Sequence, residues 1–431
     1  MDKITGQINI SDSDLNKIQK QINNVFEFRK QIEKYLEKNI SKFLEIIIGG
    51  AISVNASDIH IEPKKEKVKI RMRIDGILQE IGVMEKEKYA KILSRIKLLS
   101  GIKLNIVDKP QDGRFSILLG ANQSIEVRIS ALPTEYGESL VLRILNPKSL
   151  IEIKDLGLRQ DLFEKVQKEV KKTNGMIIVT GPTGSGKTTT LYAFLKKIQK
   201  PEIKVITIED PIEYHIQGIS QTQVNKQKGY GFAEGLRSIA RQDPDVILVG
   251  EIRDAETAKI AIQAALTGHL VLSTLHTNDA AGTIARLKSL GAKESNIGPA
   301  MNMVIAQRLV RKICPKCAKM EKISVNDLTK IKKELKKVSK NSKIPKFDKN
   351  LKILKPKGCK YCNNMGYKGR IGIYEIILMD NEMQDFILKN SSIVALRDKA
   401  IKKGMMTMKQ DGFIKVIQGV TTIEEVERVA N

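Results

Sequence analysis

Hydrophobic and polar positions along this chain change their period more than once, and the changes divide it. A helical run over Lys42–Ala56 gives way to alternating stretches at Ile59–Glu62, Val68–Ile74 and Ile77–Ile81. A period of two puts apolar side chains on one face of a pleated strand, so these stretches predict half-buried strands. A charged helical stretch follows at Lys86–Leu99. Strand patterns then surround Gly120, at Arg114–Leu119 and Ile125–Ser130, and recur at Ser139–Leu145. Residues 39–146 are therefore expected to form a small α+β domain. Ahead of it, residues 1–38 show helical spacing at Ile18, Ile22, Phe26 and Phe28 and no strand pattern. That segment predicts a helix or two.

Beyond a linker at 147–153 the texture changes again. Met176–Thr180, Val205–Ile208, Val246–Val249 and His269–Thr274 are short, unbroken apolar runs separated by loops and helical segments. Strands covered on both faces read this way, which points to a parallel sheet in an α/β domain spanning 154–431. A cysteine-bearing insertion at 311–372 interrupts that domain, and helices are expected over 373–431.

The strand Met176–Thr180 runs into Gly181, Pro182, Thr183, Gly184, Ser185, Gly186, Lys187 and Thr188, with Thr189 next. This is a phosphate loop in its proper setting, between a strand and a helix. Glycines let backbone N–H groups and the helix start point at phosphates. Lys187 would reach the β- and γ-phosphates of ATP, and the Thr188 hydroxyl would join the shell of a Mg²⁺ ion.

Two later strands end in carboxylates. Glu209 and Asp210 follow Val205–Ile208, and Glu251 closes the stretch Asp245–Glu251. Hydrolysis beside a triphosphate needs one group to hold Mg²⁺ or its waters and another to orient the attacking water. Glu209 or Asp210 could instead merely cap the next element. Four histidines occur in the chain, and His269 and His276 bracket the strand at 269–274. A histidine there could sense the γ-phosphate, or be an ordinary, internally satisfied side chain. The polar company of Thr274, Thr277 and Asn278 favours His276 for the first role.

Composition refines this picture. A chain of 431 residues with 41% hydrophobic residues is long enough for two or three cores. The longest apolar stretch, Phe43–Val54, is broken by Glu45 and Gly49-Gly50, and Met1–Ile4 lacks the basic start of a signal peptide. A cytosolic protein is expected. The net charge of +25 suggests anionic partners. Residues 318–358 carry 14 Lys against 4 Asp or Glu, an excess of +10, and make acidic phospholipid a candidate partner. Lysine-rich composition of genomic origin would give the same total. All four cysteines fall in two Cys-x-x-Cys pairs, Cys314/Cys317 and Cys359/Cys362. Four thiolates in two knuckles suit a closed, structural Zn²⁺ site.

Four blocks, GPTGSGKTTT, ITIEDPIEY, DPDVILVGEIRD and LTGHLVLSTLHTNDA, resemble the Walker A, Asp-box, Walker B and His-box motifs of the secretion ATPase superfamily. Upstream, ASDIHIEP, RMRIDG, PQDGR and LPTEYGESLVLRIL resemble that superfamily's N-terminal half, and the paired cysteine motifs resemble its type II secretion and type IV pilus assembly ATPases. The resemblance implies a RecA-like phosphate-loop ATPase domain with a smaller N-terminal α+β domain and a zinc-binding insertion. It implies a homo-hexamer, peripheral at the inner face of the cytoplasmic membrane. Such a ring works with a platform protein and the other pilus or secretion assembly components. Carried over, Glu209 polarises water and Glu251 takes the Walker B role, with Gly250 where the broader class has Asp. Arg114 and Arg128 match arginines that approach phosphate when domains close, and Arg237, Arg241, Arg253 and Arg286 match others near the ring interface. Longer relatives have an additional N-terminal domain that 37 residues cannot build, so the recruiting partner stays open. A nucleic-acid translocase or helicase is the rival reading. The absence of Trp and the 4% aromatic content leave little for stacking bases.

Overall fold

The computed structural model describes residues 6–36, 39–120, 123–147, 150–338, 344–389 and 392–430. Residues 148 and 149 of the expected linker and 339–343 of the lysine-rich stretch lie outside them. Two compact units result: residues 1–148 with 314–318 and 356–368, and residues 149–313 with 319–355 and 369–431.

The first unit is a seven-stranded sheet packed with helices. Its elements are β1 (Gln7–Ile10), α1 (Asp12–Gln21), α2 (Val25–Leu36), α3 (Ile40–Ser53), β2 (Ala56–Pro63), β3 (Val68–Ile74), β4 (Ile77–Met84), α4 (Lys86–Ser100), β5 (Gln111–Leu119), β6 (Gln123–Thr134) and β7 (Gly137–Leu145). Strand order is β1-β5-β6-β7-β2-β3-β4, antiparallel except that β1 runs parallel to β5. The β2 and β3 motifs are two arms of one antiparallel pair, with Asp58 opposite Arg73 and His60 opposite Arg71. Alternation does its expected work: Ile59, Ile61, Ile70 and Met72 are buried in the core.

The N-terminal segment, expected to hold a helix or two, supplies α1 and α2 to this unit. Ile18, Ile22, Phe28 and Ile32 pack into the sheet's core, while Phe26 points outward. The unexpected strand β1 is four residues long and adds to the open edge of β5. The two cysteine loops, expected inside the C-terminal domain, also group here. The Asn363 side chain accepts a hydrogen bond from the Val25 N–H at the start of α2 (2.8 Å), and Gln79 donates to Met365 Sδ (3.2 Å).

The second unit contains α5 (Gln160–Val170), β8 (Gly175–Thr180), α6 (Lys187–Ile198), β9 (Val205–Glu209), β10 (Ser220–Gln223), α7 (Phe232–Ala240), β11 (Val246–Val249), α8 (Ala255–Leu266), β12 (Leu270–Leu275), α9 (Ala280–Ser289), α10 (Glu294–Ala300) and β13 (Met301–Ile313). There follow β14 (Lys319–Lys322), α11 (Val325–Leu335), β15 (Lys352–Lys355), β16 (Tyr367–Leu378), α12 (Asn381–Lys389), α13 (Ile393–Lys402), α14 (Met408–Ile417) and α15 (Ile423–Val429). Sheet order is β10-β9-β11-β12-β8-β13-β16, parallel from β10 through β13. Every residue of β8, β9, β11 and β12 is buried, as strands covered on both faces must be. The lysine-rich stretch forms the β14–β15 pair and α11, whose Leu328, Ile331 and Leu335 join the second unit's core. None of the helices among the described residues is long and apolar enough to cross a membrane.

Candidate active site

Parallel strands deliver their C-terminal ends to one edge of the sheet, and β8, β9, β11 and β12 bring their loops there together. Three hydroxyls stitch the strand ends. Ser273 donates to Val249 O and Thr274 to Gly250 O (both 2.8 Å), while the Thr277 N–H donates to Thr180 Oγ1 (2.9 Å). Gly250 is glycine because β9 lies so close: a Cβ there would sit 3.3 Å from Glu209 Cα and Ile208 O.

Between β8 and α6 the loop 181–186 turns through Gly181, Gly184 and Gly186, all at positive φ. A side chain at Gly181 would strike Gln307 O at 2.6 Å. Gly186 caps α6 without a side chain, so the N–H groups of the helix's first turn have no side-chain acceptor at the cap. Ser185 Oγ is buried with no hydrogen-bond partner among the described residues. Lys187 folds back to donate to Gly181 O (2.9 Å) and Pro182 O (3.2 Å). Unmet donors and a lysine parked on carbonyls it can leave fit an incoming phosphate. Thr188, the second residue of α6, stands where a Mg²⁺ ligand is needed.

Lys187, Glu251, Arg253 and His276 form one electrostatic group. Burial pushes the Lys187 ammonium below its ordinary pKa, Glu251 pulls it back, and Arg308 adds to the depression. Glu251, almost buried, accepts from Arg253 Nη2 at 2.6 Å and lies 3.7 Å from His276 Nε2. Burial and then Lys187 hold the His276 imidazole below its ordinary pKa against the pull of Glu251, so it is neutral at pH 7. His269, by contrast, spends Nδ1 on Ala264 O at 3.0 Å, the satisfied alternative.

Glu209 differs. It is buried, and its carboxylate accepts from the Tyr192 hydroxyl, from Thr207 Oγ1 (2.6 Å) and from Gln221 Nε2 (3.2 Å). Three donors already occupy a group expected to polarise water.

Sequence reading passed over Gln307 and Arg308 on β13. Buried Gln307 donates to Ser185 O (2.7 Å) and accepts from Thr190 Oγ1 (2.8 Å). Arg308 donates to Asn278 O (3.1 Å) in the loop after β12. The break that this polar pair makes in the apolar run Met303–Val310 was the available signal.

Arg114 and Arg128 belong to the first unit. They are register partners on β5 and β6, and Arg143 on β7 extends the row beside Arg128. Like charges directly opposite one another in a sheet are destabilising. Asp58 offsets Arg143 (3.0 Å) and Glu126 offsets Arg128 (3.4 Å). Of the other arginines, Arg237 pairs with Glu256, while Arg241 and Arg286 reach neighbouring serines at 3.4 Å.

In the first unit, Cys314, Cys317, Cys359 and Cys362 place all four sulfurs within 4.8 Å of one another. Three of the Sγ pairs stand at 3.7, 3.8 and 3.9 Å. Zn–S bonds of about 2.3 Å arranged tetrahedrally require sulfurs about 3.8 Å apart, so the donor set fits Zn²⁺. Backbone N–H groups of Cys359 and Gly366 point at Cys362 Sγ (both 3.2 Å), as donors to a thiolate do.

A parallel sheet with this loop, these acidic strand ends and the helices around them defines a RecA-like phosphate-loop nucleotide-binding protein. The chain belongs to the type II/IV secretion system protein family, whose model matches residues 33–428. It is 44% identical over 393 residues to the type IV pilus assembly ATPase PilB of Thermus thermophilus, covering 90% of this chain and 43% of that protein. It is 42% identical over 393 residues to the type II secretion system ATPase E of Vibrio cholerae, covering 90% of this chain and 75% of that one. The chain thus spans less than half the length of the Thermus relative. Among solved structures, the pilus retraction motor PilT with bound ADP superposes with a TM-score of 0.59 at 27% identity, covering 90% of this chain and 96% of that one. The Legionella pneumophila ATPase DotB shares the fold with a TM-score of 0.65 at 22% identity, covering 90% and 95%.

Proposed function

We propose that this chain is an ATPase motor. It hydrolyses Mg-ATP as a homo-hexameric ring, peripheral at the cytoplasmic face of the inner membrane. There it drives assembly of a type IV pilus or type II secretion pseudopilus through a membrane platform protein. The observation that carries the reading is the convergence of Lys187, Glu251 and neutral His276 on the phosphate loop.

The backbone of 181–186 and the start of α6 bind phosphate, and Lys187 leaves its two loop carbonyls to reach the terminal phosphates. Thr188 would hold Mg²⁺, with Glu251 ordering its waters; the ion supplies charge neutralisation as the phosphate is cleaved. His276, uncharged, can exchange a hydrogen bond with a γ-phosphate oxygen that departs on hydrolysis. Glu209 orients water once it sheds one of its three donors. Arg114 and Arg128 deliver positive charge from the first unit to the transition state, so that chemistry is coupled to domain closure. Arg237, Arg241, Arg253 and Arg286 serve the contact with a neighbouring copy. The zinc site is structural, since four thiolates leave no open position. The lysine-rich stretch at 318–358 binds acidic phospholipid.

Turnover by the purified chain, measured alone, with DNA and with acidic vesicles, tests this. Hydrolysis of Mg-ATP raised by acidic vesicles and unmoved by DNA is expected. Stimulation by DNA alone would transfer the assignment to a nucleic-acid translocase.

A further inference from the structure

Glu209 holds three donors, and its assigned role needs an oxygen that can meet water. The three are not equally placed. Thr207 Oγ1 donates to Oε1 (2.6 Å) from Glu209's own strand β9 and is fully buried. Tyr192 donates to Oε2 from α6, where its ring is part of the core. Gln221 donates to Oε1 (3.2 Å) from β10, the edge strand of the sheet, and is only half-buried. Thr207 and Gln221 are register partners on the parallel pair β9–β10, so both side chains stand on the face from which Glu209, two residues on, projects. Oε1 accepts twice and is filled. Of its two donors, only Gln221 is within reach of solvent.

Gln221 commits the rest of its amide to the loop 210–219, which joins β9 to β10. Nε2 donates its second hydrogen to Tyr214 O (3.0 Å), and Oε1 accepts from the Ile216 N–H (2.8 Å). A flipped amide would set its oxygen against two acceptors and its NH₂ group against an N–H, so these partners fix the orientation. Tyr214 also packs its ring edge-on against Tyr192, with centroids 6.0 Å apart. One loop residue therefore touches two of the three groups that donate to Glu209. Farther along, Gln199 at the end of α6 donates to Gln217 O. Asp210, His215, Gln217 and Gly218 are exposed, so between these pins the loop faces solvent.

We propose that Gln221 is a positioning residue that latches Glu209. Its amide covers Oε1 and ties the acid to the loop 210–219, and Oε1 is the oxygen that receives the attacking water when the loop lets go. Separation of the amide leaves Oε1 with Thr207 alone and one acceptor site free, while Tyr192 and Thr207 still hold the carboxylate in place. Gln221 is left with no unmet donor, because water can take the place of Glu209 at a half-buried site on the sheet edge. The proposal rests on the reading of Glu209 as the group that polarises water. It adds which oxygen does so and what keeps it idle.

Steady-state turnover of Mg-ATP by the full chain tests the latch. Gln221→Met keeps the length of the side chain and removes its donor. It should raise kcat about threefold at nearly constant KM. Gln221→Leu should act alike and decides the matter if the first variant folds poorly. In a Glu209→Gln background the same substitution should no longer raise kcat, since Gln221 acts through that acid. A residue that only anchors the loop would lower the melting temperature and leave kcat unchanged or reduced. A folded Gln221 variant with kcat unchanged or lower overturns the latch, as does an equal rise in the Glu209→Gln background. Wild type that hydrolyses no Mg-ATP, or a Glu209→Gln protein that hydrolyses it like wild type, overturns the reading of Glu209 itself.

Discussion

The phosphate-loop edge of the second unit and the four-cysteine site of the first are both assembled from loops, and they are finished in opposite ways. At the phosphate loop, polar capacity is left over. Ser185 Oγ has no partner among the described residues, the start of α6 has no side-chain cap, and Lys187 is bonded only to carbonyls it can leave. At the cysteines, four sulfurs converge within 4.8 Å and two backbone N–H groups address one of them. Leftover capacity suits a ligand that comes and goes, and a closed donor set suits one that stays. The same contrast recurs between two neighbouring carboxylates. Glu209 is occupied by three neutral donors, whereas Glu251 faces Arg253, His276 and the field of Lys187.

The comparison can be broken most forcefully at the cysteines. Purified, chelator-free protein should carry about one Zn per chain. Cys314→Ser should lose the metal and lower the melting of the first unit by about 5 °C or more, since binding energy in such sites is folding energy. Nucleotide affinity should survive. Elemental analysis finding no metal, or a variant that melts like wild type, would remove the closed half of the contrast.

The two carboxylates come next. Glu251→Gln should cut kcat about a hundredfold, roughly 2.7 kcal/mol of barrier, with little change in stability. Glu209→Gln should instead act first on the fold. Its new amide would face a set of donors, costing about 1–3 kcal/mol of stability. Equal effects of the two substitutions on both turnover and denaturant midpoint would erase the distinction.

Legibility in the sequence followed locality. The phosphate loop is one contiguous turn, and each cysteine knuckle is four residues long, so both could be read from neighbours in the chain. Strands β3 and β11 fall on the expected boundaries because their apolar pattern is complete. β1 was invisible because Gln7–Ile10 is short and mostly polar, and it is a strand only where β5 offers it an edge. The docking of the cysteine loops was equally hidden, since Asn363 meets Val25 across 338 residues. Gln307 gains meaning from a partner 122 positions away, which no local pattern encodes. The ends of strands announced themselves, and what lies behind the loops did not.

The central claim, that the loop 181–188 turns over ATP, is tested most directly by Lys187→Ala, with turnover and circular dichroism measured on the same preparation. A wild-type spectrum and hydrolysis reduced at least a hundredfold are expected, because a phosphate-directed charge is deleted without touching a core. A well-folded Lys187→Ala protein that hydrolyses Mg-ATP like wild type would contradict it.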